Sequence, residues 1–206
     1  MTLEIEKMMT GQLYQPSDPL LAQARERAHT TCHRYNLLSH DGSSNRKRYL
    51  KSLLGKVEKT CLIEPPFFCD YGYNISLGDN VYFSFNRTIL DHARVRIGNG
   101  VKLGPGVHLY TAVHPINPGE RSIGLERSVG IEIEDNVWVG SDSIIFPCVH
   151  IGQNTVVGSG SVVTESLPAN VVAVSNPCRP TENVESLFMQ DKKQLNIRCT
   201  PQTRYA

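Results

Sequence analysis

His114 is the residue of this chain whose setting points most directly to chemistry. It lies in LYTAVHPINPGERS, the stretch from Leu109 to Ser122, just before Pro115, with Pro118 and Gly119 following. An imidazole has an ordinary pKa of about 6.5, so in its neutral form it can take the proton of an alcohol near neutral pH. The alcohol itself is a poor nucleophile until that proton leaves. Glu126, in GLERS, is a candidate either to orient His114, because a carboxylate beside an imidazole fixes its tautomer, or to hold the acceptor; a solvated loop charge is the competing reading.

The elements around this stretch must hold it in place, and they are legible as a repeat. From residue 133 the chain divides into the hexads IEDNVW, VGSDSI, IFPCVH, IGQNTV, VGSGSV and VTESLP. Ile133, Val139, Ile145, Ile151, Val157 and Val163 lead them, and Val137, Ser143, Val149, Thr155, Ser161 and Leu167 follow four places later. Upstream, LGDNVY, IGNGVK and LGPGVH start at Leu77, Ile97 and Leu103. A six-residue period fits neither a helix nor simple alternation, but it fits a short extended piece plus a tight turn, stacked as a parallel β-helix. The glycine after a leader (Gly78, Gly98, Gly104, Gly140, Gly152, Gly158) is read as part of that turn. Between Leu109 and about Gly130 the hexads stop, and a gap that long in a compact repeat is functional or disordered. The prolines argue against simple disorder.

Before the repeat, Asp18-Pro19 reads as an N-cap and first helical residue. Leu20, Leu21, Ala24, Ala28, Thr31, Cys32 and Tyr35 then recur at helical spacing. A second helix is expected from Ser43-Ser44 to about Val57, with Asp41 and Gly42 marking the turn between the two. After Pro180 a short helix or partly ordered tail is expected. The resulting division is a helical arm over 1–60, a β-helix over 61–180 with an extruded loop at 110–130, and a tail over 181–206.

Bulk properties narrow the function classes. With 21 basic and 20 acidic residues the net charge is +1, so neither a nucleic-acid nor an anionic-membrane partner is expected. The first residues show no basic-then-apolar signal pattern, and no stretch approaches the roughly 18 apolar residues of a membrane span. The six cysteines have no CxxC pair or metal-like spacing. They read as reduced thiols in a cytoplasmic protein.

With these motifs assembled, the sequence resembles the hexapeptide-repeat acyltransferases, and within them the maltose, galactoside and nodulation-factor O-acetyltransferases. The supporting stretches run in order through EKMMTGQLYQPSDPLL, IEPPFFCDYGYNISLGDNVYFSFN, YTAVHPINPGER, NVWVGSDSIIFPCVHIG and NVVAVSNPCR. The resemblance implies an all-β left-handed parallel β-helix with three hexads per coil, an N-terminal α-helical arm and a homotrimer with sites between subunits. It implies acetyl-CoA as cosubstrate and a sugar or sugar-like hydroxyl as acceptor. A catalytically weakened scaffold that binds coenzyme A, or an enzyme for a non-sugar acceptor, is the alternative.

By the same resemblance His114 is the catalytic base, and the backbone N–H of Ser141 is a candidate oxyanion donor. Asp70, Ser84, Asn86, Asp91 and Tyr14 are candidate acceptor contacts, with Asp18 a weaker one. Gly140, Ser141, Ser159, Thr164 and Arg179 are candidate coenzyme contacts, and Gly158 and Gly160 would let its arm approach the backbone. Trp138 is expected to pack at a coil corner. No metal is expected: some hexapeptide proteins resembling carbonic anhydrases bind zinc through histidines five apart, whereas His108 and His114 are six apart. His92, His108 and His150 all fall in the repeat region and are weighed against that zinc pattern, and none is assigned a role. Three positions depart from the family pattern: Ser84 stands where an asparagine is usual, Glu165 where a lysine is common, and Glu182 where an arginine is common. The two acids are expected to weaken coenzyme binding.

Overall fold

The computed structural model describes residues 3–38 and 43–186. Its body is a column of short strands stacked in parallel on three faces. Phe67–Cys69, Arg87–Leu90, His108–Tyr110, Ile144–Ile145 and Val162–Val163 form one face. Ile75–Leu77, Val95–Ile97, Ile131–Ile133 and His150–Ile151 form the second. The third runs through Leu62–Ile63, Tyr82–Phe83, Lys102–Leu103, Trp138–Val139, Val156–Val157 and Val171–Val174. This is the expected parallel β-helix.

The hexad pattern explains the core. All six leaders from Ile133 to Val163 are buried, and so are the residues four places on, Val137 through Leu167. Each buried aliphatic side chain contributes on the order of 1.5–3 kcal/mol, so one column of leaders holds the coils together. The small hydroxyls among them bond to turn carbonyls: Ser143 Oγ donates to the Gly140 carbonyl at 2.9 Å, and Ser161 Oγ to that of Gly158 at 2.6 Å. A buried hydroxyl left unbonded would cost more than it gains.

The glycine after each leader has a different reason from the one expected. Gly104 and Gly140 are not in the left-handed region; they face the backbone of the next coil. A Cβ on Gly140 would stand 2.5 Å from the Ser159 nitrogen, and one on Gly104 would stand 2.8 Å from the Ser141 nitrogen. The left-handed turn conformation belongs to Asn80, Asn136, Asp142, Asn154 and Asn170, which tolerate it better than most side chains.

Coil length is not uniform. The later coils advance 18 residues, Ile144 pairing with Val162, whereas the earlier ones advance 20, Thr88 pairing with His108. His108 then pairs with Ile144, 36 residues on, so the detour is inserted without breaking the stack. Arg179–Asn183 runs antiparallel to Val171–Val174 and is exposed throughout, so regular structure continues past Pro180. Residues 187–206, the rest of the expected tail, lie outside the described residues.

Three helices precede the column. A short one, α1 (Glu4–Met9), was not anticipated from the sequence. The second, α2 (Pro19–Asn36), starts where expected: the Asp18 carboxylate accepts from the Leu20 N–H at 2.9 Å. It buries Leu21, Ala28, Cys32 and Tyr35 against the column, while Leu20, expected on that face, is exposed. The third, α3 (Ser43–Leu53), stops four residues short of Val57. Asp41 and Gly42, the expected turn, lie outside the described residues. No helix among the described residues is long and apolar enough to cross a membrane.

Candidate active site

The detour after Tyr110 is an ordered hairpin. Ala112–Val113 pairs antiparallel with Arg127–Ser128, and between them Asn117 caps a single helical turn, α4 (Pro118–Ser122), accepting from the Gly119 N–H at 2.8 Å. The arm grips the hairpin base. Tyr14 and Glu126 exchange backbone hydrogen bonds of 3.0 and 3.1 Å, and Ser128 Oγ donates to the Met8 carbonyl at 2.7 Å. Glu126 therefore has a fixed backbone address, which a free loop acid would lack.

His114 projects from this hairpin with its side chain 65% exposed, and its Nδ1 lies 3.9 Å from Glu126 Oε1. Behind it stands a buried polar network. The Tyr14 hydroxyl donates to Glu126 Oε2 at 2.7 Å and lies 2.6 Å from His92 Nδ1. His92 Nε2 lies 2.8 Å from Asp70 Oδ2, and His29 Nε2 lies 3.0 Å from Asp70 Oδ1. The chain of contacts runs from His114 through Glu126, Tyr14 and His92 to Asp70 and His29.

Its charges support one another. Burial alone would lower the His92 pKa, but hydrogen bonds to Asp70 and Glu126 outweigh it and raise the imidazole to about 9. Burial alone would raise Glu126 and Asp70; the bonds from His92 and its neighbours hold both carboxyls below their ordinary values. Burial and the bond to Glu126 push the Tyr14 phenol far up, so it stays a donor.

The other candidates fall into distinct places. Asp91 is fully buried beneath Asp70: its Oδ1 accepts from the Asp70 and Tyr71 N–H groups at 3.1 and 2.8 Å. Burial raises its pKa to about 7. The side chain thus shapes the backbone that carries Asp70. Ser84 is buried at the end of Tyr82–Phe83, and exposed Asn86 takes the left-handed turn beside it. Asp18 is occupied as the cap of α2. Ser141, Ser159, Thr164 and Arg179 lie on the later coils. No hydrogen bond from the Ser141 N–H is found among the described residues, so it is a spare donor. Gly160 borders open space, with nothing within 4 Å of where a Cβ would be. Glu165 accepts an ion-paired hydrogen bond of 2.8 Å from Arg179 Nη2, so it acts on this coenzyme candidate directly. Trp138 is half exposed at the start of the strand Trp138–Val139.

His92 joins this network although nothing in its local sequence marks it, whereas the other repeat-region histidines stand apart. His108 is stacked on Tyr110, its pKa lowered by burial and then by Arg87, and His150 pairs with Glu134 at 3.0 Å. Among the described residues no group of three or more His, Cys, Asp or Glu side chains is arranged to hold one metal ion.

Residues 7–58 match the maltose acetyltransferase hexapeptide capping motif, and residues 130–165 match the bacterial transferase hexapeptide of six repeats. A galactoside O-acetyltransferase of Lactococcus lactis is 36% identical over 84% of this chain and 84% of its own length. The chain belongs to the maltose and galactoside O-acetyltransferase family. As such it is an acyltransferase. A maltose O-acetyltransferase structure from Clostridium difficile 630 superposes with a TM-score of 0.88 and 40% identity, covering 89% of this acetyltransferase and 98% of that chain. A galactoside acetyltransferase in complex with coenzyme A superposes with a TM-score of 0.88 at 32% identity, covering 100% and 98% of the two chains.

Proposed function

We propose that this acetyltransferase moves the acetyl group of acetyl-CoA to a hydroxyl of a sugar or sugar-like acceptor by direct attack, with His114 as the base. The observation that carries the reading is the placement of an accessible imidazole against a carboxylate that is itself held by Tyr14 and His92. His114 takes the hydroxyl proton as the oxygen attacks the thioester carbonyl. The C–O bond forms, the C–S bond breaks, and the imidazolium returns its proton to the departing thiolate. The Ser141 N–H is the donor for the oxyanion, a group whose removal costs about 10²–10³ in rate.

The reading places acetyl-CoA along the later coils, near Ser141, Ser159, Gly160, Thr164 and Arg179. The open surface at Gly160 suits a thin pantetheine arm. The polar groups linked to His114 through this network, Glu126 beside it and Asp70 at its far end, suit a polyhydroxylated acceptor. We further propose a homotrimer, with the site completed by a neighbouring subunit. Support comes from the apolar side chains left on the outside, including Ile116 at 94% exposure on the hairpin, Phe68, Phe85 and Trp138. The described cysteines are all free, which agrees with a cytoplasmic setting.

The test is thiol release from acetyl-CoA in the presence of a panel of sugars, for the wild type and for His114→Ala. Release by the wild type that is lost in the variant supports the reading. No release with any acceptor, or full release by the variant, overturns it.

A further inference from the structure

The proton arrangement around His92 has a directional consequence. Glu126 Oε2 takes its hydrogen bond from the Tyr14 hydroxyl, so the Tyr14 oxygen is left to accept from His92 Nδ1 at 2.6 Å. On its other side His92 Nε2 meets Asp70 Oδ2, an acceptor only. Both ring nitrogens must therefore donate, and only the imidazolium can do so. In the neutral ring, one nitrogen would accept. With Nε2–H kept on Asp70, Nδ1 would draw the Tyr14 proton to itself, and Glu126 would lose its donor.

We propose that His92 is a positioning residue for acetyl transfer: as a doubly donating imidazolium it directs the Tyr14 proton onto Glu126 and thereby holds Glu126 toward His114. The inference rests on the reading of His114 and Glu126 given above. His92 does not touch the reacting atoms; its side chain is 9% exposed. Every element packed around it contributes a partner. The arm supplies Tyr14; the hairpin supplies Glu126, with His114 on its far oxygen. The column supplies Asp70, and Tyr71 meets His92 edge to face at 5.3 Å between ring centres. Below lies Asp91, holding the Asp70 backbone, and α2 adds Arg25 on the Tyr71 hydroxyl and His29 on Asp70. Two acids flank His92, and its hydrogen bonds are the first of the interactions that lower both; His29 adds to this at Asp70, and Tyr14 and His114 at Glu126.

Nitrogen-15 NMR of histidine-labelled wild-type protein reads the protonation of His92 without reference to activity. Both ring nitrogens protonated at pH 7.5, with titration near pH 9, is the expected result; a neutral ring at pH 7.5 overturns the proposal. The pH profile of acetyl transfer supplies the second measurement. Wild-type kcat should fall as pH rises through about 9. In His92→Gln, kcat should be roughly tenfold lower at neutral pH with an unchanged KM for acetyl-CoA, and the alkaline fall should vanish. A variant that keeps the same alkaline fall as the wild type overturns the proposal, since a merely structural role would lower stability without moving that limb. If His92→Gln does not fold, the NMR result on the wild type decides. Failure of the His114 assignment shows separately, as undiminished thiol release by His114→Ala.

Discussion

Tyr14 and Glu126 are joined twice, by reciprocal main-chain hydrogen bonds and by the hydroxyl-to-carboxylate bond of 2.7 Å. The first bond set ties the arm to the hairpin; the second orients the acid. Tyr14→Phe separates the two, because it removes only the hydroxyl. The buried carboxylate and imidazole lose a shared partner, so the variant should lose about 1–3 kcal/mol of stability and roughly tenfold in kcat. Thermal unfolding and steady-state kinetics check both. Unchanged kcat would show that the orientation of Glu126 does not matter to turnover.

His114→Ala should behave in the opposite manner. The side chain is mostly exposed, so stability should change little, while acetyl transfer should fall by about 10²–10⁴ if its only role is proton transfer. Equal unfolding midpoints with lost activity are the expected pair of results.

Glu165→Lys should lower the acetyl-CoA KM. In the wild type the Glu165 carboxylate occupies Arg179 at 2.8 Å, and both side chains are well exposed, so the pair itself adds little stability. Freeing Arg179 and reversing the neighbouring charge should favour the coenzyme's phosphates. A KM that is unchanged or raised would place those phosphates elsewhere.

Stability should fall on the alkaline side for a specific reason. The His92 pKa is raised from its ordinary 6.5 to about 9, so its contribution is complete below about 6.5 and is lost as pH climbs through about 9. The loss should be on the order of 3 kcal/mol, and smaller in His92→Gln. Asp70 and Glu126, both lowered, lose their contributions only as the solution becomes strongly acidic. Urea unfolding at a series of pH values measures the slope.

Gly140→Ala tests the packing account of the repeat. Its Cβ would meet the Ser159 nitrogen at 2.5 Å, so the coils must separate locally at a cost of about 1–3 kcal/mol. A turn-only role for Gly140, which has no left-handed φ, would leave the unfolding midpoint nearly unchanged.

The hexads were readable because the core asks for an aliphatic residue every sixth position, and Ile133 to Val163 supply it without interruption. Earlier coils were harder: their 20-residue step, as between Thr88 and His108, shifts the phase that an 18-residue coil keeps. The glycines were found but explained by the wrong constraint, since close approach of a neighbouring coil leaves no trace in local sequence. His114 stood out through its proline-marked surroundings. His92 did not, because its partners Tyr14, Asp70 and Glu126 come from the arm, another coil and the hairpin, and only the assembled fold brings them to one point. Cys32 and Cys69 repeat the lesson: they are far apart in the chain, yet their Sγ atoms lie 3.7 Å from each other.

A stack of parallel strands presents, at its last rung, a row of unspent amide and carbonyl groups that invites another chain to join on. Here Arg179–Asn183 doubles back across that rung, bringing Pro180, which has no amide to donate, and the charges of Arg179 and Glu182. On that face the last parallel strand is thereby covered, and the edge left outside carries a residue that cannot donate and charges that discourage a further strand from pairing.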